Sequence, residues 1–134
     1  MSRSHVETVR GIFERWNAGD HSVPEEDLHP AVELESRFSS VRGEPYRGHA
    51  GIEEWMRDLD EHFAEWRLRV DDVREVGNTV IVIGGVQLRG RASDVAFDQP
   101  TAWVVDFGTD GRITRGRIYS DADAALKAVG QGDP

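Results

Sequence analysis

The sequence predicts a single α+β domain over residues 1-134, with helices in its first half and a long antiparallel meander in its second. Three observations carry this. Apolar residues recur at steps of three and four in two N-terminal stretches. From Trp66 to Tyr119 they alternate instead, and short turn signals cut that alternating region into hairpins. The chain has 134 residues, the size of one domain around one core.

Ser4 and Glu7 have capping-box spacing, and Val6, Val9, Ile12, Phe13 and Trp16 follow on one stripe, which predicts a helix from about 4 to 18. Gly19 can close it in the left-handed conformation. Ser22-Val23-Pro24-Glu25 repeats the capping spacing, but Pro30 limits the second helix to one or two turns. Residues 31 to 38 alternate: Val32, Leu34, Ser36 and Phe38 on one parity, Ala31, Glu33, Glu35 and Arg37 on the other. After a loop with Gly43, Pro45 and Gly48, a third helix runs from about 50 to 64, with Ile52, Trp55, Met56, Leu59 and Phe63 on its stripe.

Trp66, Leu68 and Val70 alternate, then Val73 and Val76 fall out of phase near Asp71-Asp72, which predicts a bulge that bends the sheet. Gly77-Asn78 turns into strand 79 to 91, Ala92-Ser93-Asp94 into strand 95 to 107, and Thr109-Asp110-Gly111 into strand 112 to 120. Gly84-Gly85 inside a strand marks a bend or a close approach of backbones, since no helix follows to make a phosphate loop. Ile81 to Ile83 and Trp103 to Val105 are apolar on both parities, so the second sheet face needs cover, most simply from a partner subunit. Asp121 or Ser120 caps a short helix over 122 to 129.

Composition narrows function. Sixteen Lys and Arg against 25 Asp and Glu leave a net charge of −9, which argues against a nucleic-acid partner. There is no cysteine, hence no disulfide and no thiolate metal site. The opening residues MSRSHVETVR lack the apolar run of a signal peptide, and no apolar stretch is long enough for a membrane span, so a soluble cytoplasmic protein without a membrane partner is expected. The histidines, at 5, 21, 29, 49 and 62, are scattered, and His49 with Glu53 lacks a third ligand, so neither metal nor cofactor is expected.

Four stretches, FERWNAGD (13 to 20), HPAVELESR (29 to 37), YRGHAGIEEWMRDL (46 to 59) and DGRITRGRIYSDADAALKAVG (110 to 130), carry a resemblance to the nuclear transport factor 2-like superfamily and its SnoaL-like branch. The resemblance implies a cone-shaped roll. A strongly curved, mainly antiparallel sheet would wrap three N-terminal helices, a pocket would open at the wide end, and two subunits would dimerise through the outer face of the sheet. It further implies a pocket for a small lipophilic molecule. Such a protein is either an isomerase, cyclase or hydratase/hydrolase using carboxylate acid/base catalysis, or a non-catalytic binder or accessory protein, or a dimerisation module with a filled pocket. Fold does not choose among these. Against the ketosteroid isomerases, the Tyr donor position falls on Ile12, the protonated acid on Trp103 or Ala102, and the base on Glu35. The catalytic Asp of the SnoaL cyclases falls on Ile118, so neither set is complete.

If the resemblance sets the inner parity, Glu33 and Glu35 face the pocket, with Gly116, Ile118 and Ser120 on the last strand and Trp103, Val105 and Phe107 opposite. Two carboxylates about 7 Å apart on one strand face do not both ionise readily in an apolar cone, and the retained proton suits general acid/base work. The alternative is that this parity faces water or a partner and Arg37 neutralises Glu35. His49 either closes the helix that follows it or enters the pocket mouth as a proton carrier. Trp16, Trp55, Trp103 and Ile118, with Arg37 as the charged member, are the candidate ligand contacts; Trp16 and Trp55 equally suit core packing. Arg115, Arg117 and Tyr119 form a polar stripe on the outer parity of the last strand, as dimer or rim contacts or anion contacts.

Overall fold

Ser4 accepts the Glu7 backbone N–H at 3.1 Å, and the Glu7 carboxylate accepts the Ser4 N–H at 3.4 Å. This box opens α1, His5–Asn17, whose buried stripe is Val9, Ile12, Phe13 and Trp16. Gly19, at φ 97°, takes the left-handed conformation just past its end. The computed structural model describes residues 4–36, 41–91 and 95–130. The second helix is one 3-10 turn, Glu25–Asp27. Strand β1, Leu28–Glu35, starts before the alternation suggests, and Pro30 lies in the stretch from Leu28 to Glu33 where its pairing with β6 slips register. A two-residue strand, β2 (Tyr46–Arg47), has too short a pattern to be legible in the sequence. Helix α2, Gly48–His62, buries Ile52, Trp55 and Met56 and runs directly into β3, Phe63–Val76.

Strands β4 (Thr79–Gly90), β5 (Ala96–Phe107) and β6 (Ile113–Tyr119) complete the meander. The sheet is open and mixed, in the order β2-β1-β6-β5-β4-β3, with β1 and β6 the parallel pair. The bulge lies where the phase of the apolar residues breaks. Val70 faces Gly84, Asp72 faces Ile83, and Asp71 is the extra residue. Gly84 lets the strands close up there, because a Cβ would stand 1.8 Å from the Arg69 carbonyl oxygen. Gly77, at φ 59°, turns β3 into β4.

Trp66, Leu68, Val80, Val82, Trp103, Val105 and Phe107 pack with α1 and α2 on the inner face. On the outer face, Ala102 and Val104 are fully buried with Ala125 of α3, Ala122–Ala128. Asp121 caps that helix through the Ala124 N–H at 2.8 Å. Ile81 is also fully buried. Of the apolar outer positions, the chain itself covers Ile81, Ala102 and Val104 and leaves Ile83 partly exposed. Much of the remaining outer face is ion pairs: Arg69 with Asp71 and Asp98, Arg74 with Asp72, and Arg89 with Glu65.

Tyr46 anchors α2 to the sheet edge. Its ring is buried, and its hydroxyl donates to Asp58 Oδ2 at 2.5 Å. Burial first, and then the bond to Asp58, push the phenol up to about 12. A raised folded-state value means stability that is complete below the free phenol's value of about 10 and lost as pH climbs toward 12, an amount on the order of 2 kcal/mol. In urea titrations across that window the native protein should lose this increment and Tyr46→Phe should not. Parallel profiles would reject the assignment.

Candidate functional site: an indole-lined hollow

Helices α1 and α2 lie in the curve of the sheet and leave a hollow with two lobes. The larger, about 170 Å³, is lined by Trp16, Trp55, Trp66 and Trp103, with Phe63, Leu59, Leu68, Val86, Leu88 and Ile118 around them. Gln99, Thr101 and Ser36 border it on one side. The smaller lobe, about 70 Å³, runs toward Val9, Phe13, Val32 and Leu34 and shares Trp16, Trp55, Trp103 and Ile118 with the larger.

The indoles form one cluster. Trp16 meets Trp55 edge-on at 5.8 Å and Trp66 at 5.7 Å, while Phe13 sets its edge against Trp103 at 5.1 Å. Trp16 donates its N–H to the Ser22 carbonyl at 3.0 Å, and Trp66 donates to Asp60 at 2.9 Å. Among the described residues, the indole N–H groups of Trp55 and Trp103 have no hydrogen-bond partner, so a ligand acceptor could take either. Asn17 steadies the far wall by bonding both the N–H and the carbonyl of Leu68, at 2.8 and 2.9 Å.

The acids expected inside are outside. Val32 and Leu34 are the buried residues of β1, whereas Glu33 and Glu35 stand on the opposite face with their side chains over two-fifths exposed. Glu33 pairs with Arg47 at 3.3 Å and Glu35 with Arg115 at 2.9 Å. The parallel register decides this. Leu34 lies beside Gly116 and Glu35 beside Arg117, and paired residues share a face, so the inward parity of β6 is the inward parity of Leu34. A Cβ on Gly116 would stand 2.9 Å from Leu34 Cδ1, so the leucine occupies the room the glycine leaves. Among the described residues no carboxylate, imidazole, ammonium or guanidinium group lines the larger lobe. Glu33 and Arg117 border the smaller one, whose surface is almost wholly apolar.

His49 is not at the mouth of the hollow either. Its Nε2 bonds the Leu28 carbonyl at 3.0 Å, in a separate groove between the 21 to 28 segment and α2. Arg37 lies outside the described residues. Trp16, Trp55, Trp103 and Ile118 all line the hollow. Trp66, one of the four tryptophans the sequence offers as flat surface for a cone, also lines the hollow, whereas candidate chemistry alone did not point to Phe63, Gln99 and Thr101. The signal for two of them was available, since Gln99 and Thr101 share the parity of Trp103 along β5. Arg115 and Arg117 do lie on the outer parity, but they hold Glu35 and Asp106 of their own chain.

A SnoaL-like domain model matches residues 9–116. The chain belongs to the SnoaL-like family. No curated protein matches it significantly. Among solved structures, an NTF2-like protein of unknown function from Burkholderia pseudomallei K96243 superposes with a TM-score of 0.77 at 22% identity, covering 94% of this chain and 97% of that one. TerC, co-crystallised with polyporic acid, gives 0.74 at 20% identity over 94% and 98%. SalBIII, an epoxide hydrolase/cyclase-like enzyme described for pyran ring formation in the polyether salinomycin, gives 0.70 at 17% identity over 86% and 88%. At such identities the SnoaL-like chain shares their fold. No helix among its described residues is long and apolar enough to cross a membrane.

Proposed function

We propose that this SnoaL-like protein binds a small, ring-bearing, largely apolar molecule in the indole-lined hollow, and that binding rather than acid/base turnover is the hollow's task. The observation that carries this is the lining: four indoles and no ionisable side chain among the described residues of the larger lobe, while Glu33 and Glu35 are held in ion pairs on the other face of β1. A space of about 170 Å³ exceeds the roughly 150 Å³ of an engineered apolar cavity that takes up benzene, and the adjoining lobe of about 70 Å³ adds room for a second fused ring. The unpartnered N–H groups of Trp55 and Trp103 suit a ligand with one acceptor atom. That TerC was crystallised with polyporic acid supports reading the same fold as a ligand holder.

A second reading, turnover at the rim, draws on one fact: Glu35 lines a polar cleft of about 450 Å³ that adjoins the hollow. The test is a titration of intrinsic tryptophan emission with ethylnaphthalene, alongside a native mass spectrum of the purified protein to identify any retained small molecule. Saturable quenching is expected, unchanged in Glu35→Gln and lost in Val86→Trp, whose indole fills the lobe. Absence of saturable binding to the folded native protein would end the proposal. Conversion of a retained molecule, abolished by Glu35→Gln, would replace it with the second reading.

A further inference from the structure

The hollow and the polar cleft beside it share four residues. Ser36, Gln99, Thr101 and Ile118 line both, so the two spaces meet along one edge, between the end of β1 and the middle of β5. Across that edge the chemistry changes abruptly. On one side are indole and aliphatic surfaces; on the other are Glu35, Tyr119, Ser120 and Arg117. We propose that the cleft is the second half of the ligand site, and that it receives an uncharged hydrogen-bonding head, a hydroxyl or carbonyl, carried on the ring that fills the hollow. This rests on the binding reading above and names the ligand class for it.

Two features of the cleft select a neutral head. The charges that line it already have counter-ions: Glu35 holds Arg115 at 2.9 Å, and Arg117 holds Asp106 at 3.3 Å. A charged head would find no unmatched opposite charge and would have to give up water or break one of these pairs. A hydroxyl or carbonyl meets no such obstacle. Among the described residues the Gln99 carboxamide and the Ser120 hydroxyl make no hydrogen bond, and both can donate and accept. Tyr119 accepts from Arg117 Nη1 at 3.4 Å, which leaves its own O–H free to donate. Gln99 occupies the boundary itself, so one carboxamide can reach a head whose ring is already seated.

The experiment compares four probes with the same fused-ring body and different heads: ethylnaphthalene, naphthaleneethanol, the naphthaleneacetate anion and the naphthaleneethylammonium cation, each titrated against the native protein by calorimetry. Naphthaleneethanol is expected to bind roughly three- to tenfold tighter than ethylnaphthalene, the gain from one or two added hydrogen bonds, and tighter than either charged probe. Gln99→Leu should erase that advantage, read as the ratio of naphthaleneethanol to ethylnaphthalene affinity in the variant itself, because Gln99 also borders the hollow. Tyr119→Phe, which keeps the ring packed, provides a second variant should Gln99→Leu fail to fold, and it should reduce the same advantage. Equal affinities for all four probes, or tighter binding of the acetate or the amine, would overturn the neutral-head assignment and leave the hollow as a ring site. No binding of any probe would overturn the hollow itself.

Discussion

Gly84→Ala should lower the unfolding free energy by about 3 kcal/mol or more, visible as a large drop in the urea midpoint. The added methyl would lie 1.8 Å from the Arg69 carbonyl oxygen and 2.8 Å from its carbon. Those atoms are backbone, held by the ladder between β3 and β4 on either side of the bulge. Relief would require the strands to part and their hydrogen bonds to stretch, at the place where the sheet bends around the helices. The neighbouring substitution gives the contrast. In Gly85→Ala the nearest atoms are Arg69 Nη2 and Asp98 Oδ1, both 2.8 Å away and both ends of flexible side chains that can swing aside. A loss of about 1 kcal/mol or less is expected there. Similar losses for the two variants would mean that the close approach at Gly84 does not exist.

Trp103→Ala should cost about 3 to 5 kcal/mol, because the site cannot collapse around so large a deletion. Trp103 stands between Val82 and Ile118 in the ladder, packs edge to face with Phe13, and borders both lobes of the hollow. Without its indole both lobes would widen at the wall they share, and an ethylnaphthalene-type probe would lose an aromatic wall while gaining room. Trp103→Phe, which retains a ring, should recover most of the stability. The measurement is urea unfolding of both variants, with probe titration of whichever remains folded. A loss below about 1 kcal/mol in Trp103→Ala would show that the indole is not packed as described, and would weaken the hollow as a ligand site.

The candidate site was legible only in part, and β1 explains why. An alternating strand states that it has two faces, and by itself does not say which one is inward. Glu33 and Glu35 looked catalytic only under one of the two parities. The choice was made by the pairing of β1 with β6, some eighty residues away in the chain, through the fit of Leu34 over Gly116. His49 followed the same logic: its residue type allowed a proton carrier, and its bond to Leu28 places it in another groove. The helical indoles were easier to assign, because Trp16 and Trp55 lie on apolar stripes that any packed arrangement buries, whereas Trp103 sits in a stretch apolar on both parities and the resemblance placed it inward.

What local chemistry determines, the sequence alone determined: the capped first helix, the turn at Gly77 and the break of phase near Asp71, each set by neighbours within a few residues, while Gly84-Gly85 was marked only as a bend or a close approach and the pairing of β3 with β4 made it a close approach to Arg69. Likeness of motif added the family. Tertiary structure decided the rest: which side of β1 meets the helices, that α3 covers Ala102 and Val104 on the outer face, and that a polar cleft opens beside an indole-lined hollow. These depend on contacts between segments far apart in the chain, whose register and approach are settled only when the whole core packs.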